Sequence, residues 1–437
     1  MRVSEKKTGT FAQGLAAATC SLLGTTVSLP VLAQEQDWEF DTALLYYGEE
    51  GDRVQDLSFN LLARRLFPDE KILSVGLAVD SLTGATPSGA IPQNELQTFT
   101  RPSGNAVYSV RPGDIPLDDT FLDTRYALTA SWQQPLGREY AGTAGISFST
   151  EYDYTHAGAN FAISRDFDKR NTTISLGVAL ARDDLDPVGG APEPLAPMAD
   201  VGDSSGRGGS KSKDVVDLLL GVTQVISEKF LVQINYSLSD ASGYLNDPYK
   251  ILSVVDPVTG HAISRAPAPG FEGPLHEYRF ESRPDKRTKH SLFGQGKYYF
   301  GGKVLDMSYR YMTDDWGIDS HTLDTKLYLP LGDTSYMEPH VRFYTQSEAD
   351  FYRVSLLDGE PLPQFASADY RLGSFDAVTA GLKYGWRTSS GRDFAVRVEY
   401  YRQDGEVPRD QLAGKDGSSL YPGLDAIIVN FSYGFGM

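Results

Sequence analysis

The chain of 437 residues predicts an all-β fold, a transmembrane antiparallel β-barrel of about 16 strands with short periplasmic turns and long extracellular loops. Three observations lead to this prediction. The chain opens with an export signal, apolar and polar residues alternate along many later segments, and short connections alternate with long ones.

The first 33 residues have the organisation of a secretory signal peptide. A positively charged start and an apolar stretch precede Val31 and Ala33, which occupy the −3 and −1 positions of the expected cleavage site. A lipoprotein signal with Cys20 as the acceptor fits less well, because apolar sequence continues past the cysteine. We therefore expect export through the Sec pathway and a mature chain, 34–437, that forms a single outer-membrane barrel without cysteine.

Composition excludes several classes of protein. Lys and Arg number 40 against 58 Asp and Glu, a formal charge of −18, so a nucleic-acid partner is not expected. Charged residues at 22% and hydrophobic residues at 41% exclude both a disordered chain and a polytopic helical membrane protein. The segment after residue 33 also lacks an apolar run long enough for a spanning helix.

Alternation with a period of two predicts the strands. From Ile427 to Met437 every odd-numbered residue is apolar, whereas the even-numbered residues from Asn430 onward are Asn, Ser or Gly. Such a pattern places one set of side chains on each face of a strand. The same pattern predicts strands over 37–47, 54–66, 71–81, 121–134, 139–152, 157–166, 171–182, 214–227, 229–240, 288–300, 303–313, 317–330, 336–347, 374–387, 392–403 and 424–437.

The connections between these strands alternate in length. Every second connection is a short turn, such as Gly301-Gly302, and the intervening set contains all the long ones. The long loops are 82–120, 183–213, 241–287, 348–373 and 404–423. Tight periplasmic turns and longer outside loops are typical of outer-membrane barrels, so we expect both mature termini in the periplasm.

The face of each strand that carries polar and small residues is expected to line the lumen, because the apolar face must meet lipid. Its charged residues carry both signs, which does not predict a simple anion or cation ring. A solvated wall of mutually paired charges and a specific ligand site both stay open. The lumen-lining candidates are Lys297, Asp306, Arg310, Asp324, Lys326, Arg342, Lys383, Arg397 and Glu399.

The loop 241–287 is expected to narrow the lumen, since it is far longer than usual connections. It also contains runs rich in Tyr, Phe and Arg, a composition that favours an ordered, packed segment over a solvated tail. The loop-plug candidates are Tyr278, Arg279, Arg283 and Arg287. We expect these arginines and Lys286 to pair with lumenal carboxylates such as Asp306 and Asp324.

Chemical motifs are weak, and we expect no catalytic residue, no metal site and no cofactor. The run Asp314–Thr322 holds Ser, His and several Asp, but Ser320 and His321 are adjacent on a predicted strand and would point to opposite faces. Its carboxylates could bind a hard cation, although a solvated polar loop is the simpler interpretation.

Several longer runs carry a resemblance to a known family. These runs are Val79–Pro87, Glu151–Tyr154, Gly243–Lys250, Tyr278–Pro284, Tyr309–Thr322 and Arg342–Gln346. The sequence resembles the bacterial family catalogued as domain of unknown function 3570, whose members are predicted outer-membrane β-barrel proteins. The resemblance implies the barrel fold over nearly all of the mature chain and transfers no activity.

Three functions stay open from the sequence. The first is a porin-like passive channel for an unidentified solute, with the outer-membrane lipid bilayer and small solutes as partners. The second is a plugged structural or partner-docking barrel, and the third is an enzyme or ligand-binding barrel with its site at the extracellular mouth. The sequence identifies no protein partner.

Overall fold

The computed structural model describes residues 38–84, 87–101, 106–117, 122–198, 206–265, 275–407, 411 and 420–436. The expected signal peptide lies outside these residues. Within the described part of the chain, no helix has the length and apolar character that crossing a membrane would require.

Sixteen antiparallel strands close into one barrel in which each strand pairs with the next and the last pairs with the first. In chain order, β1 to β16 span Trp38–Glu49, Val54–Phe67, Lys71–Gly84, Leu122–Pro135, Tyr140–Thr150, Tyr154–Phe167, Thr172–Leu185, Lys211–Ser227, Phe230–Gly243, Lys286–Phe300, Lys303–Asp314, Asp319–Leu331, Ser335–Gln346, Phe375–Arg387, Asp393–Gly405 and Leu424–Gly436. The predicted fold class and strand number are confirmed.

The period-two alternation decides which face each side chain occupies. Ile146, Phe161 and Leu176 belong to the apolar sets of three neighbouring strands, and they are 64%, 54% and 55% exposed on the outside of the barrel. Within each strand, the residues that alternate with these exposed ones point inward, because successive side chains of a strand lie on opposite faces of the sheet. The apolar belt is therefore the surface that faces lipid.

Aromatic side chains form a ladder near the short-turn end of the barrel. Phe435 stacks on Phe40 and Tyr433, with ring centroids 5.0 and 5.1 Å apart, and Phe394 lies 4.7 Å from Tyr433 and 5.4 Å from Trp386. Amphipathic aromatic rings concentrate at membrane–water interfaces, so this ladder marks one edge of the lipid-facing belt.

Strand ends depart from prediction mainly at the loop side. β8 begins at Lys211 where 214 is predicted, and β10 begins at Lys286 where 288 is predicted. Apolar alternation stops at the edge of the lipid belt, whereas the hydrogen-bonded ladder continues, as in the pairing of Lys211 with Leu185. At the other end, Gly301 and Gly302 have φ of 56° and 84° and form a two-residue hairpin turn that favours glycine.

Candidate functional site

The long connections form a packed structure at the loop end of the barrel, which we call the loop assembly. It consists of the described residues of the connections β3–β4, β7–β8, β9–β10, β13–β14 and β15–β16. A three-stranded sheet joins two of these connections, with Ile251–Val255 antiparallel to Tyr278–Phe280 and parallel to Ser355–Leu357. Because these strands are distant in sequence, the loops fold together as a unit.

The loop assembly contacts the inner wall of the barrel. One buried cluster contains Val215 and Ala241, which are inward-facing residues of β8 and β9, together with Leu245 and Phe351 from two different loops. Trp316, from the short connection between β11 and β12, packs edge-to-face on Phe351 with ring centroids 5.1 Å apart. Loop residues therefore enter the barrel mouth.

A second cluster is centred on the fully buried ring of Phe99. Phe99 stacks on Tyr278 at 4.7 Å and on Tyr108 at 5.1 Å between ring centroids. The amide of Gln97 donates a hydrogen bond of 2.9 Å to the hydroxyl of Tyr278. This cluster ties the hairpin of Gln97–Thr100 and Val107–Val110 to the three-stranded sheet.

Buried ion pairs connect the β9–β10 and β13–β14 loops. Arg283 contacts Glu281 at 2.6 Å and Asp369 at 2.9 Å. Arg371 contacts the same Asp369 at 2.6 Å and reaches Asp247 at 2.8 Å. Because the side chains of Glu281 and Asp369 are each 1% exposed, the two arginines are the means by which these charges are stabilised in the interior.

Burial and charge shift the pKa values of this network in opposite directions. Burial raises the pKa of Glu281 to about 7, although Arg283 opposes the shift. Burial would also raise the pKa of Asp369, but the adjacent Arg371 and Lys250 cations hold it well below its usual range. Burial lowers the pKa of Lys250, whose Nζ donates a 2.6 Å hydrogen bond to the carbonyl oxygen of Pro87.

A short acidic connection faces the loop assembly from β5 and β6. Burial, reinforced by the nearby charge of Asp123, raises the pKa of Glu151 to about 7. Burial likewise raises the pKa of Asp153 to about 6, although its hydrogen bond from the Tyr249 hydroxyl opposes the shift. Tyr249 belongs to the β9–β10 loop, so this contact joins the loop assembly to the barrel rim.

The predicted lumen-lining residues occupy inward-facing positions, and most contact a partner. Lys297 lies 3.3 Å from Asp306, and Lys326 lies 3.4 Å from Asp324. His340 is bound on both sides, with Nε2 2.9 Å from Asp324 and Nδ1 2.7 Å from Glu399.

The remaining lumen candidates lie on β11, β13, β14 and β15. Arg397 contacts Glu338 at 3.0 Å and Glu399 at 3.3 Å. Arg310 and Lys383 each lie 5.4 Å from the centroid of an aromatic ring, Phe293 and Tyr336 respectively, and Arg342 is opposite Asp324 in the strand register. Charges of both signs therefore lie side by side on this wall.

The loop-plug candidates lie in or beside the loop assembly, but the expected partners of their arginines are wrong. Arg279 donates to the carbonyl oxygen of Leu195 at 2.9 Å, and Arg283 contacts Glu281 and Asp369. Arg287 belongs to β10, where it pairs with Asp314 at 2.5 Å and lies 4.3 Å from the centroid of the Trp316 ring.

Distance along the strands explains this error. Asp306 lies eight residues from Asp314 at the loop end of β11, which is about 26 Å of extended chain. Asp324 lies five residues from the loop end of β12, about 17 Å. The arginines therefore pair with carboxylates of the loops and of the barrel rim, which are closer.

Sequence reasoning missed the partners that hold the loop assembly together. Asp247, Lys250, Asp369 and Arg371 lie in polar loop sequence and carry no motif spacing. It also missed Ser147, His156 and Asp183, which three different strands bring into contact. Little in the sequence indicated this row, because the predicted strand 157–166 begins one residue after His156 and the predicted strand 171–182 ends one residue before Asp183. In the run Asp314–Thr322, by contrast, Ser320 is buried inside and His321 is exposed outside, as predicted.

Comparison with known proteins bears on this architecture. A family described as "Protein of unknown function (DUF3570)" has a model that matches residues 12–435. The chain belongs to this family. No curated protein matches the chain.

Solved structures resemble the DUF3570 chain in fold. "Bacterial polysaccharide outer membrane secretin" has a TM-score of 0.43 at 10% identity, with 92% of this chain and 100% of that chain covered. "CymD monoaromatic hydrocarbon channel" has a TM-score of 0.40 at 9% identity, with 98% of this chain and 93% of that chain covered. OccK5 (OpdH) from Pseudomonas aeruginosa has a TM-score of 0.38 at 10% identity, with 92% of this chain and 98% of that chain covered.

Proposed function

We propose that this protein is a passive channel for small solutes in the outer membrane and that the loop assembly narrows its outer mouth. The observation that carries the proposal is the buried cluster that joins loop residues such as Leu245 and Phe351 to inward-facing wall residues Val215 and Ala241. A barrel of eight strands is filled by its own side chains, whereas sixteen strands leave space that loops can restrict.

The wall below the loop assembly suits polar solutes without strong preference for one charge. Its pairs, such as Lys297 with Asp306 and Arg397 with Glu338, place both signs side by side. Paired charges of opposite sign cancel at a distance, so the pathway lacks the ring of one sign that selects strongly between anions and cations. We expect weak ion selectivity.

The proposal includes an orientation: Sec export, periplasmic turns and mature termini, and outward-facing loops. Its support is that all the long connections lie at one end of the barrel, whereas the other end has only short turns. An epitope tag beside Val258, which is 80% exposed in the β9–β10 loop, should bind antibody on intact cells. A tag in the turn after Arg387 should bind only after the outer membrane is disrupted; the reverse pattern would refute this orientation.

Conductance in planar bilayers tests the channel. The variant replaces 245–284 with a short Gly-Ser turn, a connection that the structure accommodates because Ser242 and Lys286 are direct partners across β9 and β10. We expect the intact protein to conduct and the shortened protein to conduct more, because the shortened protein lacks the loop that packs on the wall. As a control, a Gly-Ser replacement of the exposed tip 257–259 should leave conductance unchanged.

The two negative outcomes have different meanings. If neither protein conducts although both migrate as folded barrels, the channel is refuted and the partner-docking barrel takes its place. If both conduct equally, the barrel is a channel but the loop does not narrow it.

A further inference from the structure

Three inward-facing side chains on neighbouring strands form a continuous hydrogen-bonded row near the loop end of the wall. Ser147 Oγ of β5 lies 3.0 Å from His156 Nε2 of β6, and His156 Nδ1 lies 2.6 Å from Asp183 Oδ1 of β7. The side chains of His156 and Asp183 are each 5% exposed. The order of atoms is that of a hydroxyl nucleophile, a general base and an orienting carboxylate.

The strand register and one glycine create this row. His156 is directly opposite Asp183, and Ser147 is directly opposite Gly158. A Cβ atom on Gly158 would lie 2.7 Å from Ser147 Oγ and 3.2 Å from His156 Nε2. The hydroxyl and the imidazole therefore occupy the space that any other residue at 158 would fill.

The charge partner of Asp183 determines where the imidazole proton lies. Lys213 Nζ of β8 contacts the other carboxylate oxygen, Asp183 Oδ2, at 2.8 Å. An ionised carboxylate only accepts hydrogen bonds, so His156 Nδ1 must carry the proton that it donates. In the neutral ring, Nε2 is then the acceptor that faces the Ser147 hydroxyl.

We propose that Ser147, His156 and Asp183 form a serine-hydrolase centre in the barrel wall that cleaves esters of small carboxylic acids entering the lumen. This activity goes beyond conduction and does not depend on it. The centre lies close to the rim, since β5 ends at Thr150 and β6 begins at Tyr154.

These three groups and one water molecule account for every bond and proton transferred in the reaction. Ser147 Oγ attacks the ester carbonyl carbon while His156 Nε2 takes the hydroxyl proton. The tetrahedral intermediate collapses, the bond to the leaving oxygen breaks, and that oxygen takes the proton from His156 and departs as an alcohol. Water, deprotonated by His156, then cleaves the acyl-serine to release the carboxylic acid and restore the hydroxyl.

The oxyanion formed in this reaction needs a donor from a side chain, because the backbone N–H groups of the wall take part in the strand ladder. The side chain of Asn160 lies beside the row, since a Cβ atom on Gly145 would be 2.3 Å from Asn160 Oδ1, and Gly145 and Ser147 are two residues apart on the same inward face. Because Oδ1 can only accept a hydrogen bond, we assign the oxyanion role to Asn160 Nδ2, which replaces Oδ1 when the amide rotates by about 180°.

The test uses the full-length protein, folded in detergent, with a fluorophosphonate probe and p-nitrophenyl butyrate. The probe should phosphonylate Ser147, as located by mass spectrometry of peptides. Ser147→Ala and His156→Gln should lose the label and reduce ester hydrolysis on the order of 10³-fold. Ser175→Ala, which alters an inward-facing serine of β7 outside the row, should behave as the wild type.

A folded wild-type protein without label, or a label that persists in Ser147→Ala, would overturn the proposal and leave the row as a structural polar network. Heat-modifiable migration in gels establishes folding for each variant. Should Ser147→Ala not fold, Ser147→Cys and Ser175→Cys provide the comparison, because the only native cysteine is Cys20. The thiol introduced by Ser147→Cys should react with iodoacetamide at pH 6 on the order of 10²-fold faster than the thiol introduced by Ser175→Cys, and equal rates would refute the centre.

Discussion

Replacing Phe99 by Ala tests whether the loop assembly is a cooperatively packed unit. The Phe99 ring is fully buried and stacks on two aromatic rings, those of Tyr278 and Tyr108. Removing a buried Phe ring costs about 3–5 kcal/mol, since both the transfer free energy and the lost contacts contribute. Val258→Ala is the matched control: Val258 belongs to the same assembly but is 80% exposed, so its loss should cost less than about 0.5 kcal/mol.

Hydrogen exchange measures this difference directly. The amides of Ile251–Val255 are protected by pairing with two other loop strands. If Phe99→Ala weakens the assembly by the expected amount, these amides should exchange on the order of 10²–10³-fold faster, while amides of the barrel strands keep their protection. Equal exchange in Phe99→Ala, Val258→Ala and the wild type would show that the loops are not stabilised by this core.

Three further predictions concern lipid contact, buried charge and pH. Leu176→Arg should destabilise the barrel in vesicles by about 2–4 kcal/mol in urea titrations, whereas the inward-facing Ser175→Ala should change little; equal effects would contradict the assigned faces. Arg371→Met leaves the buried carboxylates of Asp247 and Asp369 without the cation that bridges them, and should lower the stability of the loop assembly by about 3–5 kcal/mol. Hydrogen exchange measures this loss, and the exposed Arg353→Met should show none of it. Because burial raises the pKa of Glu151 from 4.5 to about 7, its stabilising contribution is complete below pH 4.5 and is lost as pH rises through 7, by about 3 kcal/mol. Thermal unfolding between pH 5 and 8 should therefore show a smaller pH dependence in Glu151→Gln, and parallel profiles would contradict this assignment.

The sequence by itself determined the barrel, a strand number of about 16 and the facing of its wall. Each of these follows from local pattern: a strand's side chains alternate, so the apolar residues around Leu176 and Ile427 identify the lipid face without knowledge of any partner strand. The same rule correctly separated Ser320 from His321. Ends of strands were less certain, because the ladder continues beyond the apolar belt that the pattern detects.

Only the tertiary structure decided which side chains meet. Arg283 pairs with Glu281 and Asp369 in the loops, and Arg287 at the loop end of β10 pairs with Asp314, because these carboxylates lie closer than Asp306 and Asp324 farther along the strands. Ser147, His156 and Asp183 meet because three strands align in one register and Gly158 leaves space between them. Register and loop packing depend on contacts between residues far apart in the chain, and periodicity within one segment carries no information about them.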